Sequence, residues 1–119
     1  MWGINIRKKI KFNGKQYNIN VSGYCNGRMR LKYINKTECH DITVDLNDTF
    51  LEDGKVFLDP FIVQNGLIKI LIKNRIIRDV TSISYNYVEI PIAKVNMGIL
   101  KQYDKNGVYK YLDSKEGLQ

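Results

Sequence analysis

The segment that decides the fold is "NIRKKIKFNGKQYNINV", residues 5–21, in which apolar and polar residues alternate on both sides of an Asn-Gly pair. A period of two predicts β-strands, the first of them starting at Ile4. Asn13-Gly14 predicts a two-residue turn, because both residues tolerate positive φ. In that register Ile10 opposes Tyr17, and both strands turn their apolar side chains to the same face.

The same alternation continues beyond this hairpin. A third strand, apolar at alternate positions over residues 29–33, follows a three-residue loop in which Gly27 is expected to be left-handed. A fourth strand over residues 38–46 pairs with it, and the predicted register places Asp41 opposite Arg30. Cross-strand neighbours of opposite charge attract, so part of the basic charge on these strands is expected to be complemented.

The middle of the chain carries a helix signal. Asp59-Pro60 is typical of a helix start, because Asp caps free amides and Pro fits the first turn. The spacing of the apolar residues then predicts the main helix over about residues 60–73. Gly66 weakens that helix, and a strand over residues 67–73 is the alternative.

Two further elements follow. Residues 76–84 and 88–95 predict another hairpin, in which Pro91 indicates an edge strand because proline cannot donate to a sheet. Asn96 is a candidate cap for a short second helix over about residues 97–103.

Together these elements predict an α+β fold in a single domain over residues 1–112. The expected architecture is a twisted antiparallel β-meander of about six strands, with the main helix packed on its apolar face. Residues 113–119 are predicted to be a flexible C-terminal tail.

The basic residues are concentrated at the N-terminal end. Residues 1–36 hold nine Lys or Arg and no acidic residue, whereas residues 37–59 hold seven acidic residues and one Lys. The net charge of +7 over the whole chain favours anionic partners, most often nucleic acid. Solubility alone is the competing interpretation of that charge.

The sequence carries no signal for a membrane or for secretion. The apolar-rich run over residues 67–72 is far shorter than the about 20 residues that a membrane span needs. Met1-Trp2-Gly3 leads into a basic strand without an apolar signal region. We therefore expect no membrane association and a cytoplasmic location.

Residues able to support catalysis or metal binding are few. Cys25, Cys39 and His40 are the only cysteines and histidine, short of the four ligands of a usual zinc site. Cys39 and His40 point to opposite faces of one strand, so they are not expected to act as a catalytic pair. The alternation places His40 on the apolar face, and we expect it at the core or its edge. No phosphate-binding loop, dinucleotide fingerprint or hydrolase motif is present. We expect no metal, no cofactor and no enzymatic activity.

The polar side of the first three strands is the best candidate for a functional surface. If the registers hold, its basic, amide and tyrosine side chains share one face and are suited to follow a phosphate backbone and stack a base. The residues of this predicted anion-binding face are Arg7, Lys9, Lys11, Asn18, Asn20, Tyr24, Arg28, Arg30 and Lys32.

Tyrosines at turns are the second candidate. Tyr85, Tyr87 and Tyr103 lie in or near predicted turns, and exposed tyrosines commonly anchor interfaces. A homodimer through them is therefore an alternative, although tyrosines at such positions serve equally well as lids over a small core.

Residues 24–100 resemble a known family in their strand and turn patterns. The stretches that carry the resemblance are "ITVDL" at 42–46, "KVFLD" at 55–59 and "SISYNYVEIPIAKVNMGIL" at 82–100. They are similar to domain of unknown function 4313, a family of small proteins from phages and conjugative elements of low-GC Gram-positive bacteria. The family offers no activity or site residue to transfer.

The resemblance and the charge together suggest an accessory or counter-defence role. We expect the protein to bind and inhibit a host defence nuclease complex, in the manner of anti-CRISPR proteins, through its cationic sheet face. The partner would be the host effector protein or its nucleic acid. The alternatives are a general nucleic-acid-binding accessory protein and a sponge for a nucleotide signal.

Overall fold

The computed structural model describes the backbone of residues 7–117 and the side chains of residues 7–115. Over these residues the chain is α+β, as expected, with seven strands in two antiparallel sheets and three helices. The elements are β1 (Ile10–Phe12), β2 (Lys15–Gly23), β3 (Met29–Ile34), β4 (Cys39–Asp41), β5 (Lys55–Phe57), α1 (Phe61–Gln64), α2 (Leu67–Lys73), β6 (Ile77–Tyr85), β7 (Val88–Val95) and α3 (Met97–Gly117).

The first sheet has the strand order β1-β2-β3-β4 and confirms both predicted hairpins. Ile10 pairs with Tyr17 across a turn in which Asn13 and Gly14 have φ of 52° and 74°. The second hairpin closes through a three-residue loop, where the Tyr24 amide donates to the Arg28 carbonyl at 2.8 Å. Gly27 in that loop has φ of 84°, the left-handed conformation expected of it.

β1 is shorter than the predicted first strand. It begins at Ile10, and the predicted strand residues 4–6 lie outside the described part of the chain. Because β1 pairs only with residues 15–17, the remaining edge of β2 has no strand beside it among residues 7–117. That edge lies against α3 instead.

The predicted fourth strand and its register were wrong. β4 covers only Cys39–Asp41, and Asp41 pairs with Lys32 in place of Arg30. The cause is the Asn35 side chain, whose Oδ1 accepts from the amides of Thr37 and Glu38 at 3.0 and 2.8 Å. This local hydrogen bonding moves the turn one residue along the chain and so shifts the pairing by two residues.

The alternation of strand four also ends early, because residues 42–44 lie between the two sheets. The Ile42 amide donates to Leu31 of the first sheet, whereas the Val44 amide donates to Phe57 of the second. Ile42 and Thr43 are therefore both buried, although they are consecutive. A segment with a sheet on either side cannot alternate between an inner and a solvent face.

The second sheet has the strand order β5-β7-β6, so the strand that contains Pro91 is central and the predicted edge position was wrong. The Pro91 carbonyl accepts from the Leu58 amide at 2.8 Å, which shows that its backbone nitrogen also points toward β5. Because β5 ends at Phe57, the missing N–H faces a point where the ladder has already stopped. Proline is tolerated in this central strand for that reason.

The predicted main helix is present but is interrupted. The expected main helix is two short helices, α1 and α2, separated at Gly66 with φ of 87°. Asp59 caps α1 as expected, with Oδ1 accepting from the Phe61 amide at 3.0 Å. Residues 67–73 are helical, so the alternative of a strand there is excluded.

α3 is the longest helix. Its first segment matches the predicted helix over 97–103 and ends where Asp104 takes extended backbone angles, φ −155° and ψ 76°. A second segment then continues to Gly117, so residues 113–117 are helical where the sequence predicted the tail to begin. No helix of the described residues is long and apolar enough to cross a bilayer.

One core joins the inner face of the first sheet, one face of the second sheet and all three helices. Ile19, Leu31 and Leu58 are fully buried at its centre. α3 contributes Leu100, Tyr103, Val108 and Tyr111. The opposite, outer face of the first sheet carries Lys11, Gln16, Asn18, Asn20 and Lys32.

Candidate nucleic-acid interface

Arg7, a predicted partner-binding residue, is engaged inside the molecule. Its Nη2 donates to the Ile19 carbonyl at 2.8 Å and to Asn20 Oδ1 at 2.6 Å, and its Nε donates to the Tyr103 carbonyl. Nη2 also lies 3.7 Å from the Asp104 carboxylate. These contacts tie the segment before β1 to β2 and α3, so Arg7 is a structural residue, and Asn20 is its partner.

Asp104 completes the same arrangement from the helix side. Its Oδ2 accepts from the Val21 amide at 2.9 Å, and its Oδ1 accepts from the Gly107 amide at 3.0 Å. One carboxylate thus caps the second segment of α3 and satisfies the Val21 amide at the edge of β2. Backbone groups at a strand edge need partners when helices cover them, and here Arg7 and Asp104 supply those partners.

Arg28 is also withdrawn from the predicted face. Its guanidinium donates to the carbonyls of Leu46 and Thr49 at 2.7 and 2.5 Å. It lies 5.6 Å from the centre of the Phe57 ring. Arg28 therefore fixes the loop before β5 against the second sheet and does not face solvent as a free cation.

Arg30 and Tyr24 form a small complemented cluster. Arg30 Nη2 lies 3.3 Å from Asp41 Oδ1, so the expected charge pair exists, although the two residues are diagonal neighbours. The guanidinium lies 5.4 Å from the centre of the Tyr24 ring, and the Tyr24 hydroxyl bonds to Thr43 at 2.9 Å. Burial raises the pKa of Tyr24 above its usual value. This cluster leaves little free charge at its end of the outer face.

The remaining cations of the predicted face are lysines. Lys9 and Lys11 are exposed, Lys32 is half-buried, and none forms an ion pair with the described residues. Lys36, in the turn after β3, adds a third exposed lysine that the sequence reasoning missed. The sequence signal that could have identified Lys36 was its place in this turn. The structure brings the turn, with Asn35 and Lys36, beside the first residues of β2.

A groove of about 660 Å³ lies on the outer face of the first sheet, beside the turn that contains Lys36, and we call it the lysine groove. Its volume is within the usual range of ligand sites. The lining residues are Lys9, Lys15, Gln16, Asn18, Ile34, Asn35, Lys36 and Thr37. The groove combines cations, amides and one apolar side chain.

Two buried side-chain polar atoms have no hydrogen-bond partner within the described residues, and both belong to this sheet. They are Oδ1 of Asn18, a residue that lines the lysine groove, and Nε of Arg30. Buried polar atoms are nearly always satisfied, because leaving one unpaired costs about 1–3 kcal/mol. Asn18 is therefore a residue of a cationic groove whose side-chain acceptor has no partner within the described residues.

A carboxylate network holds Lys15, one of the residues that line the groove. Glu38 accepts from Lys15 Nζ at 2.7 Å and from the Tyr17 hydroxyl at 3.2 Å, and His40 Nε2 lies 2.9 Å from it. The hydrogen bond from Lys15, followed by that from His40, lowers the pKa of Glu38 to about 2. His40 stacks on Tyr33 with ring centres 4.8 Å apart, which places it at the edge of the core.

Glu38 predicts a specific dependence of stability on pH. Its folded pKa of about 2 lies below the ordinary value of 4.5, so its stabilising contribution is complete above about pH 4.5 and is lost as the pH falls toward 2. We expect the difference in urea midpoint between the wild type and Glu38→Gln to shrink over that interval. Asp113→Asn, at an exposed carboxylate outside the ion pairs of the described residues, is the control. A constant difference from pH 6 to pH 2 would contradict the assignment.

The three predicted interface tyrosines lie in different environments. Tyr103 is 3% exposed in the core and is not accessible to a partner. The Tyr85 hydroxyl donates to the Asp48 carboxylate at 3.2 Å, which raises the pKa of Tyr85. Tyr87 is fully exposed in the β6–β7 turn. The tyrosines therefore do not form one surface.

Comparison of the chain with known protein families, curated proteins and solved structures finds no match. The kind of ligand that the lysine groove could bind is therefore inferred from the residues that line it. Cations, an unsatisfied acceptor and an apolar wall together favour a ligand that carries negative charge, N–H donors and a flat apolar surface.

Proposed function

We propose that this chain is a small, non-enzymatic accessory protein of a phage or mobile element that binds a nucleic-acid strand in the lysine groove. The unsatisfied Asn18 Oδ1 is the observation that carries the proposal. A simple anion would satisfy the lysines but offers no donor to Asn18. A nucleic acid offers both phosphate oxygens and the N–H groups of its bases.

The groove suits a single strand better than a duplex. Ile34 opposes Asn18 across β2 and β3, so an apolar side chain lies directly beside the unsatisfied amide. An unstacked base can place its face on an apolar side chain, and its edge can donate to Asn18 Oδ1 once rotation of the amide turns this buried atom toward the groove. Lys9 and Lys36 line the same groove and supply cations for the flanking phosphates.

Binding of this kind accounts for the counter-defence role that the resemblance of residues 24–100 suggests. A host defence nuclease complex holds guide and target nucleic acid, and a protein that occupies either strand prevents their pairing. We therefore propose inhibition of such a complex, in the host bacterial cytosol, as the purpose of the binding. The effector's own surface is a second place of attachment that the lysines would also favour.

The test is the salt dependence of binding to a labelled single-stranded oligonucleotide, measured by fluorescence anisotropy. Lys11 does not line the groove but pairs with Gln16, which does, so it can supply a third phosphate contact beside those of Lys9 and Lys36. Three phosphate contacts predict a slope of about −2 in a plot of log affinity against log salt. Lys9→Ala should reduce the slope by about 0.7, whereas Lys69→Ala, at an exposed lysine on α2, should leave it unchanged. Affinity that stays flat between 50 and 300 mM salt would rule out the proposal.

A further inference from the structure

The second sheet contains a row of three cations that has no part in the lysine groove. Lys55 of β5 pairs with Lys94 of β7, and Lys94 pairs on its other side with Arg78 of β6. Directly paired residues in a sheet have Cβ atoms about 4.5–5.5 Å apart and share a face. One line across three strands therefore carries three positive charges, an arrangement that repulsion destabilises.

The neighbouring carboxylates compensate only the two ends of this row. Lys55 Nζ lies 3.3 Å from Glu52, whose side chain is 62% exposed. Arg78 Nε lies 4.0 Å from Asp79, in a pair that is about two-thirds exposed on both sides. Lys94 lies between them, is half-buried, and forms no ion pair with the described residues. The central cation of the row is the uncompensated one.

A β-bulge in β6 decides which residue stands opposite Lys94. Without it, the register of the hairpin end would place Asp79 there in place of Arg78. The register of β6 shifts between Arg78 and Thr81, and Asp79 within the shift has φ of 51°. Two residues, Asp79 and Val80, therefore stand opposite Ala93 alone. Bulges redirect side chains and often occur next to functional sites. Here the bulge leaves Arg78 paired with Lys94 and places Asp79 outside the row.

We propose that Lys55, Lys94 and Arg78 form a binding site for a phosphate group. An oxyanion between these side chains accepts hydrogen bonds from two ammonium groups and from a guanidinium, whose planar fork matches phosphate geometry. Its negative charge offsets the repulsion among the three cations. The same chemistry recognises a free phosphate, a pyrophosphate or a phosphodiester of nucleic acid.

The test compares Lys94→Met, which keeps most of the length of the side chain and removes the charge, with Lys69→Met as the matched control. Inorganic phosphate and then pyrophosphate are titrated into ¹⁵N-labelled protein at constant ionic strength. In the wild type we expect saturable shifts of the amide signals of residues 55, 78 and 94. Lys94→Met should weaken binding at least tenfold, and Lys69→Met should not change it.

Thermal stability without phosphate provides a second readout. Relief of repulsion should give Lys94→Met a melting temperature equal to or above that of the wild type, whereas a merely structural lysine would lower it. The phosphate-induced rise in melting temperature should occur in the wild type and be lost in Lys94→Met. Absence of amide shifts at the row, or equal weakening by Lys69→Met, would overturn the proposal.

An oligonucleotide titration of the same variants identifies the source of the phosphate. A fall in oligonucleotide affinity in Lys94→Met assigns the row to the nucleic-acid backbone, and unchanged affinity assigns it to free phosphate or pyrophosphate. Because the lysine groove lies on the other sheet, its proposed binding can fail while the row still binds pyrophosphate. The reverse result would leave the groove as the binding site and reject the row.

Discussion

Gly107→Ala is expected to lower the free energy of unfolding by about 3–5 kcal/mol, although Ala normally stabilises a helix by about 1 kcal/mol relative to Gly. A Cβ at this position would lie 2.6 Å from the Val21 carbonyl oxygen and closer still to Asp104 Oδ2. Val21 is fixed in the first sheet, and Asp104 accepts from its amide. The second segment of α3 would have to move away from β2, which breaks that hydrogen bond.

Gly98→Ala is the matched control, because Gly98 lies in the first turn of the same helix. A Cβ there would come no closer than 3.5 Å to any atom beyond its chain neighbours, so helix propensity alone should decide the outcome. We expect Gly98→Ala to be neutral or to stabilise the protein by up to about 1 kcal/mol. Urea denaturation of both variants measures the difference. Equal effects of the two substitutions would mean that α3 does not pack on β2 through Gly107.

The local patterns in the sequence were sufficient for both N-terminal hairpins. In each of them a turn residue with positive φ and an alternating pair of strands agree on one register, and no distant contact is needed to select it. Strand four shows that a local pattern can also leave two registers open. The Asn35 side chain bonds to two amides ahead of it and moves the turn by one residue. The signal was local, but two neighbouring two-residue turns satisfied the alternation equally well.

The candidate site was harder to predict, because the fate of each cation depends on distant partners. The side chain of Arg7 bonds to residues 12 and 96 positions away. Arg28 bonds to a loop 18 and 21 positions away. Charge counting treats these arginines as equal to Lys9 and Lys11, yet the guanidinium fork lets arginine satisfy several carbonyls at once. On the predicted anion-binding face, Arg7 and Arg28 join elements of the fold, whereas Lys9 and Lys11 are left for solvent or a ligand.

This division between arginine and lysine predicts the largest change in binding. We expect the triple variant Lys9→Glu, Lys11→Glu and Lys36→Glu to lose about a hundredfold in affinity for a single-stranded oligonucleotide at 0.1 M salt. Each lost phosphate contact removes the release of about 0.7 counterions, a factor of roughly five at that salt concentration. Anisotropy measures the affinity, and the inhibition of a guide-dependent nuclease that we propose should be lost in the same variant.

The control carries the identical change of charge on the helices, through Lys69→Glu, Lys105→Glu and Lys110→Glu at exposed positions. If net charge alone attracts the strand, both triple variants will lose affinity equally, and the lysine groove has no special role. If the groove binds the strand, only the groove variant will lose affinity, and its melting temperature should stay close to that of the control.

Asn18→Leu separates the contact to a base from the contacts to phosphates. Removing the unsatisfied Oδ1 should weaken oligonucleotide binding without changing its salt slope, because that atom contacts a base and not a phosphate.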